Sequence, residues 1–182
     1  MKLSPKFLGP VEHGQPGLPP AQNVENFHQG SKCFPEEIDP ETDDPGPLYY
    51  ENRLRFYNDA EPHRHKYFGT DDPKNKNIPR FFVWVDKSGT EHRLDYVQSR
   101  QFYCEFYARL ASAQPDYAEL VHKLDAGYNL CLCGFDAIPL EQGETIESAY
   151  LDPSNPFGHE RVLYTMLTSE QWIWRKYKTF EF

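Results

Sequence analysis

The chain has 182 residues, a formal charge of -9, four cysteines and an aromatic content of 15%. A chain of this length buries about 70% of its unfolded surface in one globular core, so folding needs no disulfide staple. The acidic balance argues against a protein held to DNA or RNA mainly by phosphate neutralisation, and leaves room only for a local basic cleft. No apolar run approaches the length of about eighteen residues that a membrane span requires, and the segment MKLSPKFLGPVEHGQPG lacks the apolar stretch of a signal peptide. A cytoplasmic chain with reduced thiols is therefore expected.

In VENFHQGSKCF (24–34), Val24, Phe27 and Phe34 fall on one face at the helical period, which predicts a helix over Val24–Phe34 starting near Gln22 or Asn23. The acidic, proline-rich stretch 35–47 reads as a surface loop, Leu48 to Tyr57 as a second helix, and Asn58 to Arg80 as a polar loop. FFVWV (81–85) is a strand, and Asp86-Lys87-Ser88-Gly89 is turn chemistry leading to a partner strand at 90–94. Val97, Phe102, Phe106, Tyr107 and Leu110 predict a helix over Tyr96–Ala111, ended by Gln114-Pro115-Asp116, which opens the next one over Tyr117–Asp125 with Gly127 as its cap. NLCLCGFDA (129–137) reads as a buried strand closed at Gly134. A loop, a helix over His159–Leu167 and a packed aromatic tail complete the chain. The expectation is one mixed domain of the α+β class, mainly helical, with a small sheet or hairpin.

Two spacings suggest metal ligands. His63 and His65, and Cys131 and Cys133, are i, i+2 pairs that share a face in a strand, but neither has the spacing of a zinc knuckle. No metal and no cofactor is expected. Cys33, beside Lys32, is the one thiol with a neighbouring cation in sequence, and a buried, inert thiol is the expected state. No nucleophile elbow, P-loop or dinucleotide fingerprint occurs, which leaves carboxylates to carry chemistry. Glu25, Gln29 and Lys32 share a polar helix face at i, i+4 and i+7, either a solvated surface or the wall of a site. Asp136 follows the expected strand 129–134, where ligand contacts are often placed. Asp152 lies in a turn-rich loop ahead of a helix that it or Asn155 is placed to cap.

Three stretches together resemble the NADAR family, the YbiA-like domain associated with NAD and ADP-ribose metabolism. LSPKFLGPV followed by NVENFHQGSKCF is similar to the family's N-terminal strand and Glu-His-x-x-Gln-x-x-Lys-Phe helix, with Glu25, Gln29, Lys32 and Phe34 on motif positions and Asn26 in place of the histidine. The helical stretch from Tyr96 to Leu124, carrying Arg100 and Arg109, is the second match. AYLDPSNPFGHERVLYTML resembles the closing segment, with Asn155, Gly158, Leu163 and Met166 in place. The tryptophan-glycine that follows the family's aspartate is missing, the glycine-rich loop is short, and residues 58–95 with their hairpin form an insertion without counterpart.

The resemblance implies an N-glycosidase-like hydrolase acting on an ADP-ribosyl or nucleotide substrate, with a non-catalytic ADP-ribose-binding module as the alternative. On this reading Glu25 contacts the water or ribose, Asp152 is its partner and Asp136 is held in reserve. Lys32, Arg100 and Arg161 are candidates for phosphate contacts, and Tyr150 or Phe157 for stacking on a base. Gln29, Asn155 and Gly158 complete the implied ligand-binding set, with Glu25, Gln29, Lys32, Asp152 and Asn155 expected to line one pocket. The implied partner is a small nucleotide or ADP-ribosylated molecule, nucleic acid entering only as a modified substrate, with no membrane.

Overall fold

The computed structural model describes residues 3–64, 78–134 and 137–182. Seven α-helices and one three-stranded antiparallel sheet make the described residues α+β. None of these helices is long and apolar enough to cross a membrane. The chain resolves into two compact units, Gly9–Asp95 with Phe182, and Met1–Leu8 with Tyr96–Glu181.

The first of these units is built on α1 (Val24–Gly30), β1 (Lys32–Cys33), α2 (Pro47–Asn58), β2 (Phe81–Val85) and β3 (Glu91–Leu94). Asn23 starts α1, its side chain accepting from the Asn26 amide at 2.8 Å. The helix expected to run on to Phe34 stops at Gly30. Lys32 and Cys33 instead add a short strand to the sheet, Lys32 opposite Phe82 and Cys33 opposite Phe81. Ser31 turns the chain between them: its hydroxyl donates to the His28 carbonyl at 2.7 Å, and its own carbonyl accepts from the Val83 amide at 2.8 Å. Sheet pairing outweighs the helical period here because it gives this backbone ladder partners and buries Cys33 and Phe34 completely.

Gly30 is where α1 meets α2, since a Cβ there would lie 2.9 Å from the Tyr57 ring and 3.2 Å from the Phe56 Cβ. Arg53 of α2, 1% exposed, donates to Gln15 Oε1 at 2.5 Å and lies over the Tyr49 and Tyr57 rings. Gln15 Oε1 also accepts from the Val85 amide at 2.9 Å, so one side-chain oxygen ties helix to sheet. The expected hairpin forms, with Val85 opposite Glu91 and the Asp86 carboxylate receiving the Ser88 and Thr90 amides at 2.8 and 3.0 Å. Gly89, at φ +86°, takes the left-handed position that closes the turn.

The second unit centres on α3 (Tyr96–Ser112), against which α4 (Pro115–Asp125), α5 (Ile146–Leu151), α6 (His159–Thr168) and α7 (Ile173–Lys176) pack. Most of α3 is buried: aromatic and small residues fill much of it, and the buried Arg100, Gln101 and Glu105 are hydrogen-bonded. Gln101 receives the Thr179 amide at 2.7 Å and so holds the aromatic tail down, while Trp174 is buried beneath it. Gln114 and Pro115 open α4 as expected, and Gly127, at φ +84°, follows its C-terminus.

Two expectations fail here. The buried strand at 129–137 is absent among its described residues: 129–134 form no ladder, and Cys131 and Cys133 are exposed, their sulfurs 3.6 Å apart. An apolar run without a partner edge cannot satisfy its backbone as a strand, and none of the three strands pairs with it. The region ahead of α6, read as loop, contains α5, which Thr145 and Ser148 start by reciprocal capping.

Candidate functional site

Glu25 lies in the first turn of α1, half-buried, and its Oε1 accepts from Gln29 Nε2 at 2.9 Å. Gln29 is buried and its Oε1 accepts from Lys32 Nζ at 3.1 Å. The carboxylate, amide and ammonium thus form one hydrogen-bonded chain. The i, i+4 step is helical; the second step arises because the turn at Ser31 brings β1 back along the end of α1, so Lys32 reaches Gln29 from a strand rather than from the helix face. Burial lowers the Lys32 ammonium to about 8, against the opposing pull of Glu25, with Arg64 adding to the decrease. Lys32 is thus a cation drawn toward its titration point and held one amide away from a carboxylate.

Asn26, the departure from the family pattern, is fully buried and has a structural role. Its Nδ2 donates to the carbonyls of Asp59 and Glu61 at 2.9 and 2.8 Å, and its Oδ1 accepts from the His63 amide at 2.8 Å. Asn23 adds a bond to the Ala60 carbonyl at 3.2 Å. Together they clamp the chain leaving α2 onto α1, beside the Glu25 chain. Phe34 is buried in the core of this unit.

In the other unit, Asp152 ends α5 and closes a turn: its Oδ1 accepts from the Ser154 amide and hydroxyl at 2.9 and 2.6 Å, and its Oδ2 from Asn155 Nδ2 at 2.9 Å. These bonds, that from the Ser154 hydroxyl foremost, hold its carboxyl below the ordinary range. Neither Asp152 nor Asn155 caps α6; Gly158 occupies that position. Arg100 is buried, and its guanidinium organises the same segment by donating to the carbonyls of Ala149, Tyr150, Asp152 and Asn155, the last two at 2.8 and 2.6 Å. Tyr150 and Phe157 are buried against each other edge to face, with ring centroids 5.2 Å apart, so both serve as core. Arg161 is buried in the wall of a cavity within this unit. Asp136 lies outside the described residues.

The thiol candidate does not survive its surroundings. Cys33 is buried, and burial pushes its thiol up to about 12, with Glu37 and Glu91 adding to the rise, so it is protonated and inert at neutral pH. All four cysteines are free. Of the metal candidates, His63 pairs with Asp59 at 2.8 Å, and His65 lies outside the described residues. Among the described residues, no three histidine, cysteine or acidic side chains are grouped to hold a metal ion.

The signal that sequence reading missed is Glu105 of α3. It is 5% exposed and receives Trp174 Nε1 at 2.9 Å, Arg175 Nε and Nη2 at 3.0 and 2.9 Å, and Arg109 Nε at 3.0 Å. Its i, i+4 relation to Arg109 was visible; the tail residues were not, because they are some seventy positions away. Comparison of the chain with family models, curated proteins and solved structures returns no match.

Proposed function

We propose that the chain is an N-glycosidase-like hydrolase of an ADP-ribosyl or nucleotide-type bond, with Glu25 as its working carboxylate. The observation that carries this reading is the chain Glu25–Gln29–Lys32, which joins residues at the positions of the resemblance into one hydrogen-bonded unit at an α1–β1 corner. A half-buried carboxylate is suited to the chemistry. As the bond between the ribose anomeric carbon and nitrogen breaks, its electron pair leaves with the nitrogen and positive charge develops on the sugar, which a nearby anion stabilises. Water then adds its oxygen to that carbon. Glu25 accepts one proton of that water as general base; the pyridinium nitrogen of a substrate such as NAD leaves neutral with the electron pair of the broken bond, whereas an amide or amine nitrogen takes up a proton from solvent.

Gln29 orients both neighbours, because its single amide serves the carboxylate through Nε2 and the ammonium through Oε1. Lys32 supplies a positive charge for a phosphate oxygen below the pH at which it loses its proton. A half-buried carboxylate with a cation one amide away is also compatible with binding alone, and one experiment separates the two. The protein is incubated with NAD and the released base is followed by chromatography, while its melting temperature is measured with ADP-ribose. Base release together with stabilisation supports the hydrolase. Stabilisation without release supports a binding module, and neither effect sets both readings aside.

A further inference from the structure

The unit built on α3 contains a cavity of 570 Å³, within the range of roughly 300–1,000 Å³ typical of small-molecule sites. Its walls are mainly apolar, with Leu124 from α4, Leu130 and Ile138 from the connecting segment, Ile146 from α5 and Leu167 from α6. Arg161 enters the same wall from the first turn of α6 and is 7% exposed. Its Nη2 donates to the Ile138 carbonyl at 3.3 Å, but among the described residues neither Nε nor Nη1 has a hydrogen-bond partner. A buried guanidinium with two unused donors and no ion-pair partner among the described residues is costly, because its lost hydration is not made good.

Glu160, the acidic residue in the wall, does not neutralise it. That carboxylate is packed where a Cβ on Gly134 or Gly158 would collide with it, and its Oε1 lies 3.3 Å from His159 Nδ1. Gly134 and Gly158 leave the space that this carboxylate occupies beside His159, and among the described residues no ion pair joins it to Arg161.

We infer that this cavity binds an amphipathic monocarboxylate, its carboxylate on the free donors of Arg161 and its apolar body against the leucine and isoleucine walls. A single cation among the lining residues suits one negative charge, and the Glu160 carboxylate in the same wall disfavours a dianion such as phosphate. The site belongs to a different unit from the Glu25 chain and stands or falls independently of the hydrolase reading.

Isothermal titration of the full chain with decanoate, 1-decanol and inorganic phosphate tests it. Decanoate binds one per chain, decanol binds at least tenfold more weakly, and phosphate gives no heat. Arg161→Met weakens decanoate at least tenfold and leaves decanol unchanged. Should that variant fail to fold, Ile138→Trp, which fills the cavity from an exposed position, abolishes decanoate binding. Absence of decanoate binding, equal affinity for decanoate and decanol, phosphate binding in place of decanoate, or wild-type affinity in Ile138→Trp overturns the inference.

Discussion

At the residue scale, buried polar side chains of the described residues bond to backbone as well as to each other. Asn26 and Arg100 satisfy carbonyls of distant segments, and Glu105 gathers three donors in the interior. Burial alone would raise the Glu105 carboxyl, but hydrogen bonds from Arg175, Trp174 and Arg109 hold it at about 2. Glu105→Gln keeps the shape yet removes the charge these donors face, so a loss of about 3 kcal/mol is expected in a denaturant melt. A loss below about 1 kcal/mol would mean that the cluster is no more than a surface ion pair.

Lys32 gives a pH test of the site itself. Its folded value of about 8 lies below the ordinary 10.5, so the charge that would meet a phosphate oxygen is present below pH 8 and fades above it. KM for an anionic substrate therefore rises as the pH passes 8, a rise that Lys32→Met removes by starting from the high value. Individual residues such as these were partly legible in the sequence. The spacing of Glu25, Gln29 and Lys32 marked them, whereas the roles of Asn26 and Glu105 depend on partners more than thirty positions away.

At the element scale, local chemistry and long-range pairing divide the molecule between what could be read and what could not. Asn23, the Asp86–Gly89 turn and Gln114-Pro115 each act on neighbours within a few residues, and the elements they start or join stand where their residue types place them. The end of α1 is not legible locally because β2, which captures Lys32 and Cys33, lies some fifty residues further on. The run 129–134 departs from expectation for the opposite reason: its apolar residues suggest a strand, but none of the described strands pairs with it. Helix α5 was missed because its signal, reciprocal capping by Thr145 and Ser148, was hidden in a turn-rich context. The α1–α2 contact supplies a direct check on packing. Gly30→Ala pushes a methyl against Tyr57 and Phe56, and overpacking of this kind costs about 1–3 kcal/mol, to be read as a lower midpoint in urea with an unchanged slope.

For the whole molecule, acid stability follows from two buried groups in different windows. Burial lowers His13 to about 4 from 6.5, opposed by its bond to the Pro19 carbonyl. The unfolded chain takes up this proton between pH 6.5 and 4 while the folded chain does not, so stability falls as the pH drops through that range. Glu105 has the same sign lower down: its contribution is present above about pH 4.5 and is lost as the pH falls towards 2. Urea midpoints measured from pH 7 to 3 should decline in both ranges, and His13→Gln should flatten the upper one.

The proposed function rests on the Glu25 chain, and the sequence made that legible only as a resemblance, because a carboxylate on a helix face has the same spacing whether it is solvated or at work. The most direct measurement is the turnover of Glu25→Gln on an ADP-ribosyl N-glycoside beside its affinity for ADP-ribose. The substitution preserves the shape of the side chain and removes the charge that the developing cation needs. The expected result is a fall in kcat of about a hundredfold or more, with melting temperature and ADP-ribose affinity nearly unchanged. A Glu25→Gln protein that turns over at the wild-type rate would contradict it.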